Sequence, residues 1–211
     1  MAAKTNYLEN KIIDWLLRGQ SFTPPATVYV GLITVTKGER ASSTAYSLND
    51  TIILTANDTL RHLYKCTTAG TTASSQGTLY PGAVGEVVTD GTAVFTEQTN
   101  ALDAGTAIVE PSGGNYSRVA VASSMANWAG TQGSGTTTAS SGTSGQTSNN
   151  NAISFSTPSA LWGQIGGFAL FDASTGGNPL LYGILDAAKN VNNGDPAPQF
   201  NAAALIYTED N

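Results

Sequence analysis

The residues able to do chemistry are few. The chain of 211 residues has one histidine, His62, and one cysteine, Cys66. A hydrolase triad would have to use His62, and no Ser or Cys stands in the strand–turn–helix elbow that exposes such a nucleophile. His62 and Cys66 are four residues apart, but two ligands do not complete a tetrahedral zinc site. A single cysteine also excludes an internal disulfide. Asp50, Asp58, Glu86, Asp90 and Glu97 lie close enough in sequence to suggest a glycosidase pair. Such a pair has no sequence spacing of its own, and Asp90-Gly91 reads more simply as a hairpin turn. Gly163, Gly166 and Gly167 do not make a dinucleotide fingerprint and lack a following helix. They fit a bulge or a close backbone approach within a strand pair. The expectation is a non-enzymatic protein with no catalytic centre, no metal and no cofactor.

Composition points the same way. Charged residues are 11% of the chain, and glycine supplies 23 positions. With so few ionisable side chains there is little to shift pKa values or to move protons. The net charge of −6 and scattered Lys and Arg argue against a phosphate-binding surface, so nucleic acid is not an expected partner. No apolar run approaches the ~18 residues of a membrane-spanning helix. The amino terminus has no apolar block of signal-peptide type, so synthesis and folding in a cytoplasm are expected. Hydrophobic residues, at 40%, suffice for a core.

The elements that would position side chains are mostly strands. One helix is expected near the amino terminus, with Asn6 and Glu9 at capping-box spacing and Gly19 as a left-handed cap. Leu8, Ile12, Trp15 and Leu16 form one stripe, which must be buried against a sheet or a neighbouring subunit. After Pro24-Pro25, residues 28–35 read as a strand, followed later by 116–121, 152–156, 165–171, 180–185 and 200–207. Gly/Asn turns such as Gly176-Gly177-Asn178-Pro179 join them. The expected fold is mainly β, an antiparallel sandwich or barrel with one amino-terminal amphipathic helix and a small inserted β module. The main domain would comprise residues 1–42 and 100–211, and the insert 43–99. Residues 131–150 contain no charge and no large apolar group, so a mobile Gly/Ser/Thr loop, or one ordered by a partner, is expected.

Aromatic residues are the remaining candidates for contact. Trp15 and Trp162 read first as core. Trp128, among Ser, Asn and Gly before the polar loop, reads as an exposed contact. The interface candidates are therefore Leu8, Ile12, Trp15, Leu16 and Trp128. Tyr46, Tyr64 and Tyr80 would form the core of the insert or, alternatively, an outer or glycan-contacting face.

The segments Tyr7-Leu-Glu-Asn-Lys-Ile-Ile-Asp-Trp-Leu-Leu-Arg-Gly19 and Pro25-Ala-Thr-Val-Tyr-Val-Gly-Leu-Ile33 carry a resemblance. So do Gly113-Gly-Asn-Tyr-Ser-Arg-Val-Ala-Val121, Phe168-Ala-Leu-Phe-Asp-Ala173 and Val191-Asn-Asn-Gly-Asp195. Together they resemble a family of small tailed-bacteriophage virion structural proteins, loosely labelled tail-fibre or head-associated. The insert, through Ala45-Tyr46, Leu63-Tyr-Lys-Cys-Thr-Thr-Ala-Gly-Thr71 and Thr89-Asp-Gly91, is similar to small chitinase-type carbohydrate-binding domains. Those domains usually place Trp at some of its aromatic positions, and the insert has none.

The resemblance implies a virion location and partnership with copies of the chain, as a trimer or other cyclic oligomer. It also implies contact with the major capsid or tail proteins. Capsid decoration, as a cement protein on the particle exterior, is the first functional expectation. A tail-fibre or tail-tip adhesin touching host surface glycans through the insert is the alternative.

Overall fold

The computed structural model describes residues 2–54, 61–76 and 83–209. Asp58 and Tyr80 lie outside the described residues. The fold is mainly β. The strands are β1 (Ala2–Lys4), β2 (Thr27–Val35), β3 (Ala45–Tyr46), β4 (Thr51–Ile53), β5 (Leu63–Thr68), β6 (Gly70–Thr71), β7 (Val87–Asp90) and β8 (Ala93–Glu97). They continue with β9 (Val119–Ala122), β10 (Gln146–Ser148), β11 (Ile153–Ser154), β12 (Gly163–Phe171), β13 (Pro179–Val191), β14 (Gln199–Phe200) and β15 (Ile206–Thr208). Among the described residues two helices, α1 (Asn6–Leu17) and α2 (Thr99–Asp103), accompany them.

A seven-stranded sheet in the order β10-β15-β1-β13-β12-β2-β9 forms the body. Its pairings are antiparallel except for the single parallel contact of Ala2 with Tyr207. The centre of this sheet is buried on both faces. Val30 and Leu32 of β2, with Phe168 and Leu170 of β12, enter one core together with Phe155 and Trp162. Ile33 and Val35, with Ala169, Phe171, Tyr182 and Ile184, enter the other. Side chains of a strand alternate between faces, so a strand covered on both reads as the unbroken apolar run seen over residues 28–35.

Beyond Ile165 the alternation must change phase, because Ile165 shares the first core with Phe168. A register shift between Ile165 and Gly167 against both β2 and β13 supplies that change. Gly166 is needed there: a Cβ on it would come within 2.7 Å of Val35 Cγ1.

Residues 45–97 build a separate four-stranded sheet, β4-β5-β8-β7, and the short pair β3-β6. Tyr46, Tyr64, Cys66, Val88 and Phe95 form its core, with Tyr46 edge-on to Phe95 at 5.3 Å. This part is not a detached appendage. Ile53 and Leu63 belong to the second core of the main sheet, as does Leu102 of α2.

Several expectations are corrected. Residues 200–207 are not one strand: β14 and β15 are separated by a turn in which Ala203 has φ +62°. The β1 strand was not expected, because three residues are too short for a periodicity to show. The 131–150 segment is not a plain loop. It ends in β10, paired with β15, and its hydroxyls and amides bond its own backbone, as in Ser144 Oγ to Thr131 O at 2.7 Å. Short polar side chains satisfy nearby backbone groups in this way without a hydrophobic core.

Candidate functional site

The helix α1 is capped by Thr5 rather than by Asn6. The Thr5 hydroxyl accepts from the Leu8 N–H at 3.5 Å and donates to Pro179 O at 2.6 Å, while the Thr5 N–H bonds to Leu180 O at 3.0 Å. A threonine can do this because its side-chain oxygen both caps a free helix donor and carries a proton of its own. The amino end of α1 is thereby tied to β13. Gly19, at φ +67°, ends the helix, and the Gln20 N–H returns to Asp14 O at 3.0 Å. Asp14 and Arg18 pair at 3.2 Å on the surface.

No side chain of α1 is fully buried. Leu8 and Ile12 are half-buried. Trp15 is 57% exposed and Leu16 66%, and their neighbours Ile13 and Leu17 are 48% and 76% exposed. The reading of Trp15 as core is therefore corrected: the helix packs on β1 and β13, and its second half keeps its apolar side chains outside. Apolar residues cover much of the circumference of those last turns, a pattern that belongs to buried helices.

Trp162 is buried, and its indole N–H donates to Gly114 O at 2.8 Å. Trp128 is half-buried, packs against the first core and lines an open cleft of about 560 Å³ with Met125, Ser123, Ser124, Thr138 and Ser140. Tyr46 and Tyr64 do not face outward. Both are buried in the core of the insert; in β5 the alternation sends Tyr64 to that core while its neighbour Leu63 meets the second core of the main sheet. They form no exposed glycan platform.

The chemistry-capable groups hold structural positions. Asp90 is buried and receives Arg40 Nε at 2.7 Å, Arg40 Nη2 at 3.0 Å and the Ala73 N–H at 2.9 Å. The buried Glu97 accepts the Gly85 and Thr99 N–H groups at 2.7 and 2.8 Å. Glu86 accepts the Ala83 N–H, and Asp50 the Ser47 N–H. His62 lies edge-on to Tyr64 at 6.4 Å. Cys66 is a buried thiol with its Sγ 3.2 Å from Thr68 O, and burial pushes its pKa up. Among the described residues no group of three His, Cys, Asp or Glu side chains could hold a metal ion. None of their helices is long and apolar enough to cross a membrane.

Sequence reasoning missed one half-buried network at an end of the main sheet. Arg118 donates to Glu110 at 2.6–3.0 Å and to the carbonyls of Ala173 and Gly176, each at 2.8 Å. Its guanidinium lies 3.3 Å from the centre of the Phe171 ring. Tyr116 donates to Glu110 at 2.7 Å and accepts from the Leu32 N–H. Burial first, then the Glu110 acceptor, pushes the Tyr116 pKa far above its usual range. A Gly-rich stretch, Gly113-Gly114, was the only local hint that the chain turns sharply here.

An exposed apolar helix face and a tryptophan cleft thus stand out on a sheet-rich body, with these acids engaged in structure. No curated protein matches the chain. Residues 3–96 and 91–208 match the family described as Podophage GP4 fiber I protein gp80. The chain therefore belongs to that family of bacteriophage virion structural, fibre-like proteins.

Proposed function

We propose that this protein is a non-enzymatic fibre component that works by assembling with copies of itself, using the outer half of α1 as the contact. The single observation that carries the reading is the run Ile13, Trp15, Leu16 and Leu17, each about half or more exposed on a helix whose other end is tied to the sheet. Burying a large aliphatic side chain is worth about 1.5–3 kcal/mol. The exposed fractions of Ile13, Leu16 and Leu17 are then worth roughly 3–6 kcal/mol per protomer on association, before Trp15 is added. Closed rotational symmetry would bring equivalent helices together, and a low surface charge lowers the desolvation cost of such an interface. The family description supports a fibre over capsid decoration, which would use the same helix face on a different lattice.

The test is sedimentation and light scattering on the wild type and on a Leu16→Lys, Leu17→Lys double variant. Both positions are exposed, so the fold should tolerate the change within about 0.5 kcal/mol. The expected result is a discrete wild-type oligomer and a folded monomeric variant. A wild type that stays monomeric at high micromolar concentration refutes the reading. Quantitative gel analysis of virions separates the two locations: a handful of copies fits a fibre, hundreds fit a capsid lattice.

A further inference from the structure

We infer that the cleft over Trp128 is a binding subsite for a neutral saccharide, independent of the helix contact. Its lining combines one indole and the exposed Met125 with the hydroxyl residues Ser123, Ser124, Thr138 and Ser140, and includes no charged side chain. The indole N–H of Trp128 has no acceptor among the described residues, in contrast to that of Trp162. The hydroxyls of Ser123 and Ser124 likewise bond to no protein group among the described residues.

The cleft is built on both sides. Trp128 is held by its backbone N–H on Ser124 O at 3.0 Å, by its bridge to Asn149, and by the next residue, Ala129, whose N–H reaches Ser148 O at 2.9 Å. Across from it, Gln132 Nε2 donates to Thr138 Oγ1 at 3.0 Å and to Ala139 O at 2.8 Å, and the Thr131 N–H reaches Ser140 Oγ at 3.3 Å. Thr138 and Ser140 act as acceptors in those bonds, so their own protons remain available to a ligand.

The occupant follows from that inventory. An indole offers a flat apolar face with one polar tip, which suits the C–H face of a pyranose. The surrounding hydroxyls both donate and accept, matching the rim of sugar hydroxyls. A purely apolar partner would strip water from those hydroxyls without replacing the bonds, which is costly. A proline-rich peptide docks in a groove lined by several aromatics, and Trp128 is the one aromatic here. An anionic sugar would find no cation in the cleft. The volume, about 560 Å³, falls within the ordinary range for small-ligand sites.

The experiment uses the full chain, probed by saturation-transfer NMR against neutral glucose, galactose and N-acetylglucosamine oligosaccharides, with sialylated oligosaccharides and a polyproline peptide alongside. The expected result is binding of at least one neutral sugar through its C–H protons. Trp128→Ala should weaken it tenfold or more. Thr138→Val, at an exposed position, should weaken it about threefold, so the inference stays testable if Trp128→Ala fails to fold. Val87→Thr, on the insert, should bind as wild type. The inference is overturned if no neutral sugar binds, if Thr138→Val and every folded Trp128 variant bind as wild type, or if the acidic sugars or the peptide bind instead.

Discussion

Changing Asp90 to Asn should cost far more than its near-identical shape suggests. The carboxylate is buried, receives two bonds from Arg40 and one from the Ala73 N–H, and Arg40 is itself almost entirely covered. Asparagine can keep one oxygen for the Ala73 N–H and Arg40 Nη2, but its NH₂ then faces the Arg40 Nε–H donor and the guanidinium charge loses its counter-ion. Removing one member of a buried ion pair typically costs about 3–5 kcal/mol. For a chain of this size that is roughly 6–20 °C in melting temperature. Salt should change the loss little, since a buried pair is weakly screened.

The tryptophans make the assay informative, because Trp15, Trp128 and Trp162 all lie outside residues 45–97. Ile53 and Leu63 sit in the same core as Ile33, Phe171 and Tyr182, so the insert and the body should unfold together. Urea unfolding followed by tryptophan fluorescence and by far-ultraviolet circular dichroism should then give coincident curves, both shifted in the variant. Replacing both partners with apolar residues, as in Arg40→Met with Asp90→Leu, should recover part of the loss. A cost below about 1 kcal/mol would refute the buried-charge argument. A fluorescence transition left at its wild-type position, with an early loss of dichroism, would refute the shared core.

Two further outcomes follow from packing and ionisation. Tyr116 and Tyr182, which donates to Asp103 at 2.5 Å, have pKa values raised well above 10.0, chiefly by burial and then by their carboxylate acceptors. Because the folded value is the higher one, their stability contribution is full below pH 10 and falls as pH rises above it. The loss is about 1.4 kcal/mol per pH unit for each tyrosine. Urea midpoints measured from pH 8 to 11.5 should therefore drop steeply above 10, and Tyr182→Phe should remove one tyrosine's share of that slope while Tyr46, Tyr116 and Tyr207, which burial also raises, keep theirs; an equal slope in that variant would contradict the assignment. Gly166→Ala should destabilise by about 1–3 kcal/mol through overpacking against Val35 and Ile53, and an unchanged melting temperature would show that the bulge can open at no cost.

Much of the sheet was legible because its central strands are buried on both faces and so carry dense apolar runs, as in residues 28–35 and 165–171. What was not legible depended on distant partners. Thr5 caps α1 only because β13 presents the Pro179 carbonyl to its hydroxyl, so local spacing favoured Asn6. Glu110 and Arg118 are eight residues apart with no helical or strand register to relate them, and their burial comes from the turn around Ala173 and Gly176. Trp15 carried the opposite difficulty. An apolar stripe predicts burial, but it does not say whether the covering surface lies in the same chain. Trp128 was visible as an aromatic among small polar residues, whereas Thr138 and Ser140 reach it only through the fold of a segment whose sequence shows no periodicity at all.

The placement of the insert decides where outward contact can occur. Tyr46 and Tyr64 are consumed in its own core, and Ile53 and Leu63 are consumed in that of the main sheet. Cutting residues 43–99 away would therefore strip cover from Ile33, Val35, Phe171 and Tyr182, and the excised piece would expose Ile53 and Leu63. Neither fragment would present the surface it has in the whole chain, so sugar binding by an isolated insert would not bear on the intact protein. On the two readings proposed above, with that module as a buttress for one face of the sheet, contact is made by α1 and by the Trp128 cleft. These differ in chemistry: the first offers apolar area whose one polar side-chain atom is the Trp15 indole nitrogen, suited to a matching copy, and the second offers one aromatic face ringed by hydroxyls, suited to a small polar ligand. Neither set of side chains carries a charge, so on those readings both contacts should persist as salt is raised.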